Sequence, residues 1–350
     1  MANQEIISII IPHYNGISIL KDCLISIQKN TFHGYEVIVV DNGSTDGSQQ
    51  TIKREFEWVR LLQSDSNLGY AGGCNLGMKY ARGKFFLLLN NDTCLTENTL
   101  EALVDKMKEN TRLGLVQPKI RAIQNKLLFD YSGGAGGEID IFGYPFTRGR
   151  LFDKIERDSG QFDAFQDQIF WASGTCCMIR REVVEKIGAL DELFFAHMEE
   201  IDLNWRAHLA GFLSAVAVNA VIYHYSGYTL KPDNQKKMYL NHRNNLIMLI
   251  KNYSLITLLW VLPVRTCLEL VNFLYAVITG NLKWAGAIAR SIVFLIFHAN
   301  ILIHKHMATQ KLRMVKDCRI RKYMYNCSIV WAYFIGRNNS VKLLIKMQKK

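Results

Sequence analysis

The stretch Phe85-Phe86-Leu87-Leu88-Leu89-Asn90-Asn91-Asp92 does most to limit what this chain can become. Five apolar residues in a row suit a strand buried on both faces, as in a parallel sheet packed between helices. The run stops at two amides and a carboxylate. In an open α/β sheet the ligand crevice lies outside the carboxyl ends of the strands, which puts Asn90, Asn91 and Asp92 on its floor. Such an oxygen-rich set suits a hard divalent cation, Mg2+ or Mn2+, shared with substrate phosphates. The plain alternative is a turn, which Asn and Asp also favour.

The flanking sequence repeats the same unit. Glu5–Ile11 is a β-branched run ending in Pro12-His13-Tyr14-Asn15-Gly16. Ile17–Gln28 carries Leu20, Leu24 and Ile27 at helical spacing. Tyr35–Val40 is a second strand and ends at Asp41. Strand, helix, strand implies a parallel βαβ unit. At a strand end, Asp41 can accept hydrogen bonds from a base or a ribose hydroxyl. Ser44 and Asp46 read as caps of a helix over Gln49–Glu57. Val59–Gln63 is a short strand, followed by the glycine-rich Asn67–Gly77, where backbone can approach a phosphate at a helix start.

Beyond Asp92, Thr96–Lys108 is helical with Thr96 and Thr99 as capping candidates. Leu113–Pro118 and Lys119–Ile123 read as strand and turn. Leu127–Gln168 is glycine-rich and aromatic, a hairpin-containing insertion suited to shaping an acceptor site. Phe170–Ile179 reads as a bent strand. Glu199 and Glu200 open a helix, either as simple capping or as a source of a general base. Asp202 and Arg206, four apart, suit a surface pair. Ser214–Tyr223 is strand-like and ends at His224, an imidazole at the same sheet edge as Asp92 and suited to Mn2+.

The tail is different. Residues 231–350 hold 20 Lys and Arg against 3 Asp and Glu, whereas residues 1–230 hold 22 against 28. Asn241–Lys251, Leu255–Ile278 and Trp284–Lys305 are helical tracts. Pro263, Arg265, Glu269, Arg290 and His298 interrupt the apolar runs, so no tract is expected to span a bilayer. Basic flanks beside apolar and aromatic surface fit helices lying on an anionic membrane. Long apolar runs argue against nucleic acid as the partner. The chain leads from Met1 straight into a strand-like run, and its eight cysteines lack paired spacing. The expected setting is cytoplasmic, peripheral on the inner face of the membrane.

In this order, Ser8–Asn15, Val39–Asp46, Asn67–Tyr70 with Gly72 and Asn75, Leu89–Asp92, Phe195, Glu199–Leu203 and His224 resemble glycosyltransferase family 2, over roughly residues 5–230. The helical tail resembles that of its rhamnosyltransferase-like branch. The resemblance implies a GT-A fold, Rossmann-like with a mainly parallel sheet, in a catalytic domain over 1–230, with a helical region over 231–350. It implies inverting transfer from a nucleoside diphosphate sugar, dTDP-rhamnose or a UDP-sugar, to a saccharide or polyprenyl-linked saccharide acceptor. Pro12, Tyr14, Asn15, Asp41, Asn67, Gly72, Asn75, Asn90 and Asn91 would hold the nucleotide sugar. Asp92 occupies the last position of the family's D-x-D motif and Asn90 the first, an amide where the motif has a carboxylate. His224 would join Asp92 at the metal. Glu200 would be the base, with Glu199 beside it.

Two other classes share parts of this pattern. A nucleotidyltransferase also puts carboxylates at strand ends, but its triphosphate loop is rich in Lys and Arg, which residues 67–77 lack. A non-catalytic scaffold at the membrane would keep the fold without turnover.

Overall fold

The computed structural model describes residues 7–225, 235–334 and 341. Strands β1 (Ile7–His13), β2 (Tyr35–Asp41), β3 (Val59–Gln63) and β4 (Phe85–Leu89) run parallel in the order β3-β2-β1-β4. Helices α1 (Ile17–Gln28), α2 (Ser48–Glu55) and α3 (Gly69–Tyr80) connect them. Next in the chain come β5 (Thr93–Leu95), α4 (Thr99–Glu109), β6 (Leu113–Ala122) and β7 (Asn125–Phe129). After an insertion follow β12 (Cys176–Arg180), α5 (Arg181–Ile187), α6 (Glu199–Leu209) and β13 (Leu213–His224). β12 is antiparallel between β4 and β6, β13 is parallel to β6, and β5 closes the edge. This is a mixed α/β sheet.

Alternation along the strands feeds two cores. Ile7, Ile9, Ile11, Val37 and Val39 face Leu20, Leu24 and Ile27 of α1 and the buried side of α4. Ile10, Ile38, Val40 and Leu88 face α3, α5 and α6. With helices on both faces, the strands must be apolar throughout. Helix α3 packs tightly on β1 at Gly77, where a Cβ would stand 2.3 Å from Ile10 Cγ2. Gly77→Ala is expected to destabilise the fold by about 1–3 kcal/mol through overpacking, read from the urea midpoint. An unchanged midpoint would show that the α3–β1 interface yields freely.

Several local expectations change. Residues 113–122 form one strand rather than strand and turn. Pro118 is accommodated because β13 shifts register between Ala217 and Val221, opposite Pro118 and Lys119. Residues 170–175 are not strand: Phe170 N and Trp171 N donate to Gly137 O, and Ala172 N to Asn204 Oδ1, so the segment wraps over α6. The insertion is a four-stranded antiparallel sheet of β8 (Gly137–Ile139), β9 (Pro145–Thr147), β10 (Arg150–Leu151) and β11 (Lys154–Ile155). α4 begins at Thr99, whose Oγ1 accepts from Thr96 N, so Thr96 lies ahead of the helix.

The tail begins with α7 (Gln235–Asn252), which packs Ile247, Met248 and Leu249 against Trp205 and Leu209 of α6. α8 (Leu255–Ile278), α9 (Leu282–Phe297) and α10 (Ala299–Lys311) follow, and α9 and α10 meet at a 74° bend. By length and composition α8 is apolar enough to cross a membrane, against the expectation that none would be. Counting charges along the sequence missed that Arg265 and Glu269 are i,i+4. They sit on the inward face as a buried ion pair and leave the outer face apolar. On that face Ile256, Leu259, Val271 and Ile278 are 64–83% exposed.

Candidate active site

The crevice at the carboxyl ends of β1, β2 and β4 is built by interlocked loops. Asp41, fully buried, accepts from Gln49 Nε2 at 2.6 Å and Ser44 N at 3.2 Å, while its Oδ1 has no partner in the structure. Asn15 is in the left-handed region, φ 56°. Its N donates to Ser44 Oγ, and its Oδ1 accepts from Thr45 N, both at 2.9 Å. Asp46 accepts from Gly16 N, Ile17 N and Ser48, and these bonds outweigh desolvation and hold its carboxyl down at about 2. Ser44 and Asp46 thus brace the two loops together rather than simply capping α2, whose N-cap is Gly47. Tyr14 stands 47% exposed above them, and Pro12 lies beside Asn42 and Gly73.

His13 joins β1 to β4. Burial lowers its pKa against the pull of Asp41 and Asp46, so the ring is neutral. Nδ1 then accepts from Asn91 Nδ2 at 2.9 Å, and Nε2 faces Ser48 Oγ at 2.8 Å. Asn91 is therefore committed to His13. Asn90 is pinned through its backbone N to Thr175 O, and its side chain is half-buried at the crevice.

The glycine-rich segment is taken up by packing and hydrogen bonds within the fold. Asn67 Oδ1 accepts from Gly69 N to start α3. Ala71 N donates to Phe195 O, and a Cβ on Gly69 would lie 2.4 Å from that same oxygen, so the N-terminus of α3 is covered. A Cβ on Gly72 would meet Leu68. Asn75 bonds the backbone of Leu190 in both directions and Glu192. Asn67, Gly72 and Asn75 thus place the loop before α6.

Asp92 and His224 come together across β5 and β13. His224 Nε2 is 3.1 Å from Asp92 Oδ1, and Nδ1 is 2.9 Å from Asp130 Oδ1. Burial opposes charge on the ring, but the two carboxylates prevail and push its pKa up to about 10. Asp130 escaped the sequence reading because it lies in a loop after β7, in a segment with no periodicity. Among the described residues, no three His, Cys, Asp or Glu are grouped to cage a metal. The set fits one that displaces the proton on His224 Nε2 and so frees that nitrogen as a ligand. Asp92 offers carboxylate oxygen, and a carboxylate on the far nitrogen orients a histidine ligand and raises its basicity. Two protein ligands plus a substrate diphosphate suit Mg2+ or Mn2+.

The two glutamates open α6 with their Oε2 atoms buried and unpartnered. Burial raises Glu200 to about 7; burial and then the neighbouring Glu200 push Glu199 well above the carboxylate range. The loop ahead is strained: Phe195, His197 and Met198 have φ between 63° and 74° without being glycine. Helix α7 holds it. Asn244 Nδ2 contacts Phe194 O, Ala196 O and His197 O at 2.8–2.9 Å, and Arg243 donates to Leu193 O and Phe194 O. Below, Asp202 is fully buried rather than at the surface. It accepts from Arg206 and Lys251 at 2.8 and 2.9 Å and from Asn252 at 2.8 Å. The loop after His224 falls at 226–234, outside the described residues.

A family model described as Glycosyl transferase family 2 matches residues 8–188, more than half of the chain. The chain belongs to glycosyltransferase family 2. This glycosyltransferase is 26% identical over 268 residues to N-acetylglucosaminyl-diphospho-decaprenol L-rhamnosyltransferase of Mycobacterium tuberculosis, covering 71% of this chain and 86% of that one. It is 30% identical over 109 residues to UDP-Glc:alpha-D-GlcNAc-diphosphoundecaprenol beta-1,3-glucosyltransferase WfgD of Escherichia coli, covering 31% and 43% of the two. Its GT-A fold is shared with mannosyltransferase PcManGT of Pyrobaculum calidifontis, solved with GDP-Man and Mn2+, at a TM-score of 0.52 and 16% identity over 87% of this chain and 84% of that one.

Proposed function

We propose that this glycosyltransferase moves a hexose from dTDP-rhamnose or a UDP-sugar to a hydroxyl of a lipid-linked saccharide, with inversion. The observation that carries the reading is Glu200: a carboxyl with a buried, unpartnered oxygen at the start of α6 and a pKa pushed up to about 7. Such a group is poised to take a proton near neutral pH. A scaffold gains nothing from two buried, adjoining carboxyls that cost it stability. Two relatives named above act, by their names, on prenyl-diphosphate-linked N-acetylglucosamine, which supports the acceptor class.

The steps follow from the residues. Asp41, with its unpartnered Oδ1, receives a donor group of the nucleoside, and Tyr14 offers an exposed ring beside it. Asp92 and His224 would hold a divalent cation, which when bound neutralises the diphosphate as a leaving group. Glu200 removes the acceptor hydroxyl proton as that oxygen bonds to the anomeric carbon. The bond to the diphosphate breaks on the opposite side, its electron pair leaving with the phosphate oxygen, and the anomeric centre inverts. Residues 1–230 supply this chemistry. Residues 231–350 set it against an anionic membrane surface on the cytoplasmic side through the apolar outer face of α8 and α9.

Thermal unfolding with UDP, dTDP and GDP, each with and without Mn2+, tests the reading. Saturation at 100 times Kd adds about 2.7 kcal/mol, enough to see. One nucleotide stabilising only with Mn2+ is the expected result and identifies the donor class. Stabilisation without Mn2+ removes the metal roles of Asp92 and His224. No stabilisation by any nucleotide removes the donor reading.

A further inference from the structure

A cavity of about 540 Å³ opens beside the base loop, where α7 and α9 meet. Phe195, Tyr239 and Leu240 line it together with three cations, Lys236, Arg243 and Arg290, and among the described residues no acidic one does. The guanidinium carbons of Arg243 and Arg290 lie 5.3 and 5.2 Å from the centre of one ring, Tyr239. Lys236 Nζ lies 4.1 Å from the ring of Phe195. Arg290 is exposed and makes no ion pair among the described residues. Arg243 also donates to Leu193 O and Phe194 O, and with Lys236 and Arg290 around one hollow it gives the hollow a positive potential that favours an anion.

We propose that this pocket binds the diphosphate of a polyprenyl-diphosphate-linked acceptor, with the prenyl chain leaving along α9. This rests on the lipid-linked acceptor proposed above. Two features of the structure support it. The pocket shares Phe195 with the loop that delivers Glu199 and Glu200, so a sugar carried on the diphosphate starts beside the base. On α9, Arg290, Val293 and Phe297 follow at i, i+3 and i+7, one stripe of the helix. Val293, Ile296 and Phe297 are 49%, 67% and 78% exposed. A cation therefore passes into an apolar track about 10 Å long, at 1.5 Å per residue. A headgroup and its lipid tail have that order; a free phosphate needs only the cations.

The test is binding of farnesyl diphosphate, inorganic pyrophosphate and farnesol to the full chain by isothermal titration. Farnesyl diphosphate is expected to bind tightest. Arg290→Gln and Lys236→Gln should each weaken it roughly tenfold, or about 1.4 kcal/mol, with UDP or dTDP affinity retained as the folding control. Equal binding by the double variant overturns the pocket assignment and leaves the lipid-linked acceptor standing. Pyrophosphate binding as tightly as farnesyl diphosphate makes it a free-phosphate site and overturns the proposal. No binding of farnesyl diphosphate by the unaltered protein, with nucleotide still bound, removes the lipid-linked acceptor and the pocket together.

Discussion

Glu200→Gln is expected to lower kcat by roughly 10²- to 10⁴-fold, the range for a lost general base, with UDP or dTDP affinity retained. In the unaltered enzyme kcat/KM should rise as pH climbs through about 7, because the carboxyl must lose its proton before it can accept another. Burial raises this pKa above its unfolded value. Native stability tied to the group is therefore present at low pH and lost as pH rises through about 7. The variant should then be slower but more heat-resistant at pH 8, a pairing typical of a site held at a cost to the fold. A variant that transfers sugar at the original rate would place the proton acceptor elsewhere.

Asp202→Ala carries the largest expected loss of stability, about 3–5 kcal/mol, the range for removing one partner from a buried charge network. Arg206 and Lys251 would remain at 5% and 3% exposure with a charge missing between them. Asp191 still accepts from Lys251 at 2.6 Å, so the network is not wholly emptied. Urea unfolding measures the change. A loss below about 1 kcal/mol is what an exposed pair would show, and would contradict the burial of this group. Asp202→Asn keeps most hydrogen-bonding positions and should fall between the two.

The contrast between these residues shows what was legible in the sequence. Strands β1, β2 and β4 announce themselves because burial on both faces leaves one kind of residue at every position. The positions of Asp41, Asp92 and His224 at strand ends follow from the same pattern. Distances across the chain are not written there. Asp202 and Arg206 have the spacing of an ordinary helical surface pair, and only Lys251, 49 residues on, makes them a core feature. Asn75 has the look of a ligand in a glycine-rich stretch, yet its partner is Leu190, 115 residues away. Asp130 reaches His224 across 94 residues, and no local pattern marks it. The charges of α8 read as interruptions in one dimension and as one paired face in three.

The grip of α7 on the strained loop bears on how such enzymes are recombined. An exchange of helical tails between relatives looks natural at residue 230, where the composition changes. That junction would part Asn244 and Arg243 from the carbonyls of Leu193, Phe194, Ala196 and His197, and Asn252 from Asp202. A chimera joined there inherits a foreign clamp on the loop that leads into Glu199 and Glu200. The crossover that respects the physics lies after Asn252, at the turn into α8, so that helix α7 travels with the α/β sheet and only the helices beyond it are traded.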